Sequence, residues 1–441
     1  MSIKNNLLNK VIRSNFVIYI TLTFITLSII FSRSFLGIYI FDFRIGEIFM
    51  AVSAIALIFS LFLSSYFPSK NISEIITVLQ IMIVLFVFTS LITKSSFLNL
   101  YTYKASSYIW SVGFLFLGTI IPKFQIKRMI TLIFVEVILL SIFYVAVFDF
   151  PDTIVNLFLS LSDKYEPHKG SDIVLNFIVL NTLISFSSKN RNQIFELFLL
   201  NSSLFLPLML YKSRAGFLAT LFFILVHLYL HREYLVIFNF RRIAIYFLMI
   251  VLVIVSTLLS QRYVVVEFSE TTIEQIPSAF KTLGEYKFSK YKEDYPLFYI
   301  SEKRIYSGDG NLNWRLQLWQ DAIEDNAEAN DLLLGAGYKG KLTVFLEDNT
   351  GYGNDRRGLD GLNEHVHNYF LTIFLRGGVL HLLIFLLFYW KITSAIDKKN
   401  ILDYLKVILP VIFVSMFDSS MENSHFPLIF YYFIGNQFIK K

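Results

Sequence analysis

From Ile75 to Ile92 the chain runs for 18 residues without a single charge. A run of that length is what one helix needs to cross the hydrocarbon core of a bilayer. Comparable runs recur along the sequence: Phe16 to Phe31, Ile45 to Tyr66, Tyr108 to Ile121, Met129 to Phe148, Asp172 to Phe186, Ile194 to Tyr211, Gly216 to Leu230 and Ile243 to Leu259. Three more follow a long polar block, at Asn368 to Trp390, Ile401 to Phe417 and Phe426 to Phe438. Backbone polar groups have no water to bond in lipid, so such runs must pair their amides and carbonyls internally as helices. Charged residues make up only 16% of the 441, against about 25% in soluble domains, and mean hydropathy is +0.58. The sequence therefore predicts an all-α polytopic membrane protein of about 12 transmembrane helices, with one large, partly helical extracytoplasmic loop between spans 9 and 10.

Orientation follows from basic residues in the short loops. With the N-terminus in the cytoplasm, 17 lysines and arginines fall in cytoplasmic segments and eight in short outer loops. That asymmetry places both termini in the cytoplasm and the polar block outside. The organisation expected is transmembrane helices 1–9 over 1–261, an extracytoplasmic (periplasmic) loop over 262–366, and helices 10–12 over 367–441. Lys4, Lys10 and Arg13 precede the first span with no small-residue cleavage motif, so that span is expected to be retained. The block from Arg262 to Glu364 holds 18 of the 33 acidic residues, so the net charge of +6 comes from loops that set orientation. Nucleic acid is excluded as a partner on that distribution, and membrane lipids are implied. Cysteine is absent, which removes disulfides, thiolate metal sites and redox motifs.

Within the block, Asn313 is placed to cap a helix over Trp314 to Asn326, with Leu316, Trp319, Ala322 and Ile323 on one face. Gly335-Ala336-Gly337 reads as a turn, and Gly351 to Gly361 as a glycine-rich approach to the membrane.

Three residues on the expected outer face have side chains suited to chemistry. Arg214, in the short turn Lys212-Ser213-Arg214, runs against the positive-inside trend; it reads either as a cation snorkelling to lipid phosphate or as an anion clamp. Arg315 would sit in the first turn of the capped helix, where the dipole disfavours a cation unless an anion binds there too; the plainer alternative is a solvated arginine. His367, where the block re-enters the membrane, has the pKa for general-base work, or is an ordinary interfacial histidine. His365 and His367 alternate and could share a metal, but no third ligand is spaced to help, so no metal or other cofactor is expected. There is no complete Gly-x-x-x-x-Gly-Lys-Ser/Thr phosphate loop, since Leu342 follows Lys341, and no Asp-x-Asp pair, so phosphate would have to be neutralised by arginine. Glu136 is a carboxylate in the middle of a span, functional by default or a neutral partner in helix packing; His381 reads as packing.

The ordered set Ser213-Arg214-Ala215-Gly216, Asn313-Trp314-Arg315-Leu316, Leu334-Gly335-Ala336-Gly337, His365-Val366-His367-Asn368-Tyr369 and Gly377-Gly378 resembles the O-antigen ligase and polymerase superfamily of bacterial membrane glycosyltransferases. The resemblance runs from about Arg214 to Asp418. It implies metal-independent, inverting transfer of a glycan from undecaprenyl diphosphate to an acceptor such as lipid A-core, at the outer face of the bacterial inner membrane. Arg214 and Arg315 would bind the donor diphosphate and His367 would activate the acceptor hydroxyl, with His365, Asn368 and Asp418 as supporting candidates. One dominant outer loop and the double histidine lean towards a ligase. A polymerase that extends lipid-linked glycan is the alternative, and a lipid-linked oligosaccharide flippase or other transporter is the competing class. Transporters tend to show internal symmetry and broken helices, neither of which is visible in the sequence.

Overall fold

The computed structural model describes residues 15–62, 70–121, 128–162, 165–187, 190–235, 240–264, 286–287, 294–295, 298–301, 303–346 and 364–439. The fold is all-α and polytopic. Its helices are α1 (Asn15–Leu36), α2 (Ile45–Phe62), α3 (Lys70–Ile92), α4 (Leu100–Ala105), α5 (Ser107–Trp110), α6 (Gly113–Ile120), α7 (Arg128–Phe148) and α8 (Asp152–Leu161). They continue as α9 (Gly170–Ser187), α10 (Arg191–Lys212), α11 (Arg214–Leu230), α12 (Phe240–Tyr263), α13 (Gly310–Glu328), α14 (Tyr369–Ala395), α15 (Ile401–Ser415) and α16 (His425–Gln437). Short antiparallel strand pairs join 39–40 to 43–44, 286–287 to 294–295 and 299–301 to 304–306. Among the described residues, eight helices are long and apolar enough to cross a membrane: α1, α2, α3, α7, α9, α10, α12 and α14. The other four expected spans form shorter helices, and the one over Tyr108 to Ile121 is split into α5 and α6. The glycine-rich stretch 351–361 lies outside the described residues.

The chain divides into two compact units: one of 1–80, 107–266 and 387–441, the other of 81–106 and 267–386. The polar block thus shares its unit with the end of α3, with α4 and with the first part of α14.

In the first unit, close helix packing rests on missing side chains, as expected where no water drives helices together. A Cβ on Gly118 of α6 would lie 2.3 Å from the Tyr432 carbonyl of α16, and one on Gly435 would lie 2.1 Å from the Leu115 carbonyl. The Asn436 amide donates to the carbonyls of Gly118 and Ile121, both at 3.1 Å, and so satisfies the end of the short helix α6. Glu136 of α7 accepts from Asn201 of α10 at 3.2 Å, and the same amide reaches Asn181 of α9 at 3.2 Å. This triad joins three helices, which is the packing alternative for Glu136.

In the second unit, Leu318, Ala322, Leu342, Val344, Phe345, Val366 and Leu375 form a buried core, with Trp314 and Trp319 packed against it. The expected helix exists but starts earlier: Asp309, not Asn313, is the cap, accepting from the Leu312 amide at 2.8 Å. Asn313 instead accepts from the Ser307 amide at 2.9 Å. The buried face runs through Leu318 and Ala322, while Ile323 is exposed. The hairpin 299–306 is tied to this helix by Arg304 to Asp321 at 2.5 Å and by the Gln317 amide to the Ile305 carbonyl at 2.9 Å.

Two helices are interrupted, α1 at Ser32 (φ 48°) and α14 at Gly378 (φ 70°). Absence of broken helices therefore does not count against a transporter. The α14 break has a clear partner. Ala336 and Gly337 donate their amides to the carbonyls of Leu375 and Arg376 at 2.8 and 3.0 Å. In return Val379 donates to Leu332 at 2.9 Å. Leu334-Gly335-Ala336-Gly337 is thus more than a turn: it supplies the backbone bonds that the helix gives up at its break. Gly335 (φ 72°) permits this approach, since a Cβ there would meet Arg376 carbonyl carbon at 2.4 Å.

Candidate functional site

The expected site residues fall in both units, and each group has its own geometry.

His367, Arg315, His365 and Asn368 belong to the second unit. Asn368 caps α14, its side chain accepting from the Leu371 amide at 3.0 Å. His367 is the residue immediately outside the helix, with φ 53°. Left-handed backbone is uncommon for a side chain with a Cβ, and it persists only where surrounding structure imposes it. Here the preceding Val366 is buried, and its carbonyl accepts from the Trp319 indole at 2.5 Å. The His367 ring meets Trp314 edge-to-face, centroids 5.6 Å apart. Trp314 and Arg315 are adjacent on α13, so one helix supplies the histidine's aromatic neighbour and the arginine. His367 thus meets the residue next to Arg315 on α13. The structure corrects the reason given for Arg315: with the helix starting at Gly310, this arginine stands in the second turn, away from the free amides of the N-terminus.

Glu364 anchors the approach to His365 and His367. Its carboxylate accepts from Lys104 at 2.9 Å and from Lys341 at 3.0 Å. Partial burial works against ionisation, but the two ammonium groups win and lower its pKa to about 2. Further along α14, Arg376 donates to the carbonyls of Gly337 and Gly340 and to the Tyr101 hydroxyl. This buried cation spends its donors on the fold.

Arg214 and Asp418 belong to the first unit. Ser213 caps α11, accepting from the Gly216 amide at 3.1 Å, and Arg214 is the first residue of that helix. The side chain is exposed. The dipole argument made for Arg315 therefore applies to Arg214. A Cβ on Gly170 would lie 2.4 Å from the Ser213 Cβ, so the starts of α9 and α11 touch. Next along α9, Ser171 donates to Asp418 and lies 2.5 Å from the Ser420 hydroxyl, which itself donates to Asp418 at 2.8 Å. Burial alone would keep Asp418 protonated; Arg33 and Lys169 outweigh it and hold the carboxyl below its ordinary range.

Sequence reading missed the network behind Asp418. Asp172 and His425, 1% and 2% exposed, pair at 2.8 Å. Asp172 also accepts from Ser32, at the α1 break, at 3.1 Å. Arg33 donates to Glu166 at 3.1 Å, and the carbonyl of Ile29, released by the break, accepts from Asn176 at 3.2 Å. Asp172 opens an expected span, a position where a carboxylate has a helix-dipole explanation; nothing local announces its partners.

The helices define the class, an all-α polytopic membrane protein. The family model described as O-antigen ligase matches residues 199–386, which include Arg214, Arg315, His365, His367 and Asn368. The matched stretch is similar to the O-antigen ligase family, whose members are membrane glycosyltransferase-like ligases and polymerases. The chain is accordingly a multi-pass bacterial membrane protein. No curated protein matches the chain at a significant level.

Proposed function

We propose that the protein is an O-antigen ligase that moves a glycan from undecaprenyl diphosphate to an acceptor hydroxyl, lipid A-core being the type of acceptor intended. The reaction is placed at the outer face of the inner membrane, with both termini cytoplasmic. In this reading the acceptor oxygen attacks the anomeric carbon from the face opposite the diphosphate. The carbon–oxygen bond to the diphosphate breaks, and the configuration inverts. His367 takes the hydroxyl proton as that bond forms. The leaving diphosphate keeps the electron pair, and Arg214 and Arg315 stabilise its charge. Guanidinium groups do here what a divalent ion does in other phosphate sites, so the step is written without metal. Asn368 fixes the backbone beside the base, His365 flanks it and Asp418 supports the Arg214 turn.

The observation that carries the reading is that one family match spans Arg214, Arg315 and His367. The test uses full-length protein in nanodiscs, lipid-linked glycan and lipid A-core. Product on lipid A-core that vanishes in His367→Ala and Arg315→Ala supports the proposal. Wild-type transfer by either well-folded variant removes the assigned role. Lengthening of the lipid-linked glycan instead of the core makes the enzyme a polymerase, and vesicle uptake of donor without transfer makes it a transporter.

A further inference from the structure

Two helix starts meet where Gly170 packs against Ser213, and each carries a cation at the end of the dipole that repels it. Lys169 caps α9: its carbonyl accepts from the amides of Asp172 and Ile173. Lysine is not among the residues that stabilise this position, and the positive end of the dipole disfavours its ammonium group. Arg214 is the first residue of α11. Lys212, on the other side of Ser213, closes α10, where a cation is favourable. Both helices are long, 18 and 17 residues, so both dipoles are fully developed. Local rules broken twice at one junction are what a binding site leaves in a sequence.

A second observation points the same way. His168, one residue before Lys169, is 2% exposed. Its Nε2 faces the Ile29 carbonyl at 3.3 Å and must carry the hydrogen there. Nδ1 is buried with no hydrogen-bond partner among the described residues. The ring also packs beside Phe150, centroids 6.1 Å apart, directly ahead of the Lys169 cap. Buried polar atoms are paired in nearly all native structures, and one that is not asks for a ligand or an ordered water. An anion answers all three features: it offsets both dipole penalties, bridges the cations and, by drawing a proton to Nδ1, gives that atom a partner.

We propose that His168 and Lys169, together with Arg214, form a diphosphate-binding element, with Lys169 contacting the lipid-linked donor directly. The inference rests on the proposed transfer reaction for the identity of the diphosphate, and adds residues that no part of the family match covers. Asp418 and Asp172 limit the charge of the element. Asp418 is drawn to Lys169, while the Asp172 carboxylate bonds the Lys169 amide at 3.2 Å. That arrangement leaves room for an anion without building a site so cationic that the product cannot leave.

The test is binding of undecaprenyl diphosphate, carrying no glycan, to full-length protein in phosphatidylcholine nanodiscs, read by native mass spectrometry. Lys169→Gln is expected to weaken binding about tenfold, the scale of one charge-assisted contact, and Lys169→Arg to stay within about threefold of wild type. His168→Gln keeps a donor for the Ile29 carbonyl and is expected to weaken binding severalfold with an unchanged melting temperature. Wild-type affinity in Lys169→Gln overturns the inference. So does equal competition by phosphatidylglycerol, which would make the junction a general headgroup site. Wild-type protein that binds the diphosphate lipid but transfers no glycan sinks the transfer reaction alone. Transfer with an unaltered donor KM in Lys169→Gln sinks this element alone.

Discussion

The Asp172–Asp418 network of the first unit and the His367 turn of the second hold their polar residues by different means. In the first, carboxylates are held by side-chain donors: Asp172 by His425, Glu166 by Arg33, Asp418 by two serines with Arg33 and Lys169 in support. In the second, the backbone does the holding: His367 stands in left-handed conformation just outside a capped helix, its neighbour's carbonyl pinned by an indole. A charged network tolerates loss of a member poorly, because the others stay buried. A side chain positioned by backbone can be removed with little effect on the fold. The contrast implies that substitutions in the Asp172–Asp418 network cost stability, while those at His367 cost only activity.

The largest effect is expected at His367. His367→Ala should lower the transfer rate by about a hundredfold to ten-thousandfold, the usual range for a lost general base, with no fall in melting temperature. A matching loss of melting temperature would erase the contrast. Next is Asp172→Ala, which leaves the buried His425 ring and the Ser32 hydroxyl without their acceptor; a loss of about 1–3 kcal/mol is expected from such unsatisfied buried groups. Thermal unfolding in detergent reads it, and an unchanged midpoint would show that the network carries no stability. Gly335→Ala puts a Cβ against the Arg376 carbonyl at a positive φ, an expected loss of about 1–3 kcal/mol. It tests whether the second unit is as rigid in its backbone as the geometry indicates.

The smallest effect is at Glu364. Its folded pKa, about 2, lies below the unfolded value near 4.3. The unfolded state therefore binds the proton more readily, and the stabilisation is complete above about pH 5. It is lost as pH falls through 4 towards 2. Because Lys104 is largely exposed, the pair should contribute under about 1 kcal/mol. Glu364→Gln should shift the melting temperature slightly at pH 7 and by a fraction of that at pH 2.5. An equal shift at both would mean that the contact is steric and not ionic.

The helices were readable because lipid leaves the backbone no choice: each apolar segment coincides with helix. Arg214, Arg315 and His367 stand out as candidates for a different reason, since each sits in a short run of residues with local meaning. The error at Asn313 shows the limit of that. Asp309 and Asn313 are both good caps, and what decides between them is the hairpin 299–306, which occupies Asn313 through the Ser307 amide. Asp172, His425 and Arg33 could not be read at all. They lie on three helices that meet only in space, and no spacing along the chain records that meeting.

The break in α14 has a practical outcome for anyone who cuts the chain. The polar block invites excision as a water-soluble fragment, since it is hydrophilic and has a core. But its segment 332–337 completes its backbone pairing on Leu375, Arg376 and Val379, residues inside an apolar helix. Cut free at Glu364, the fragment would leave the amides of Ala336 and Gly337 without acceptors and expose one side of Leu342 and Phe345. The part that looks most portable is the one least able to travel without its anchor.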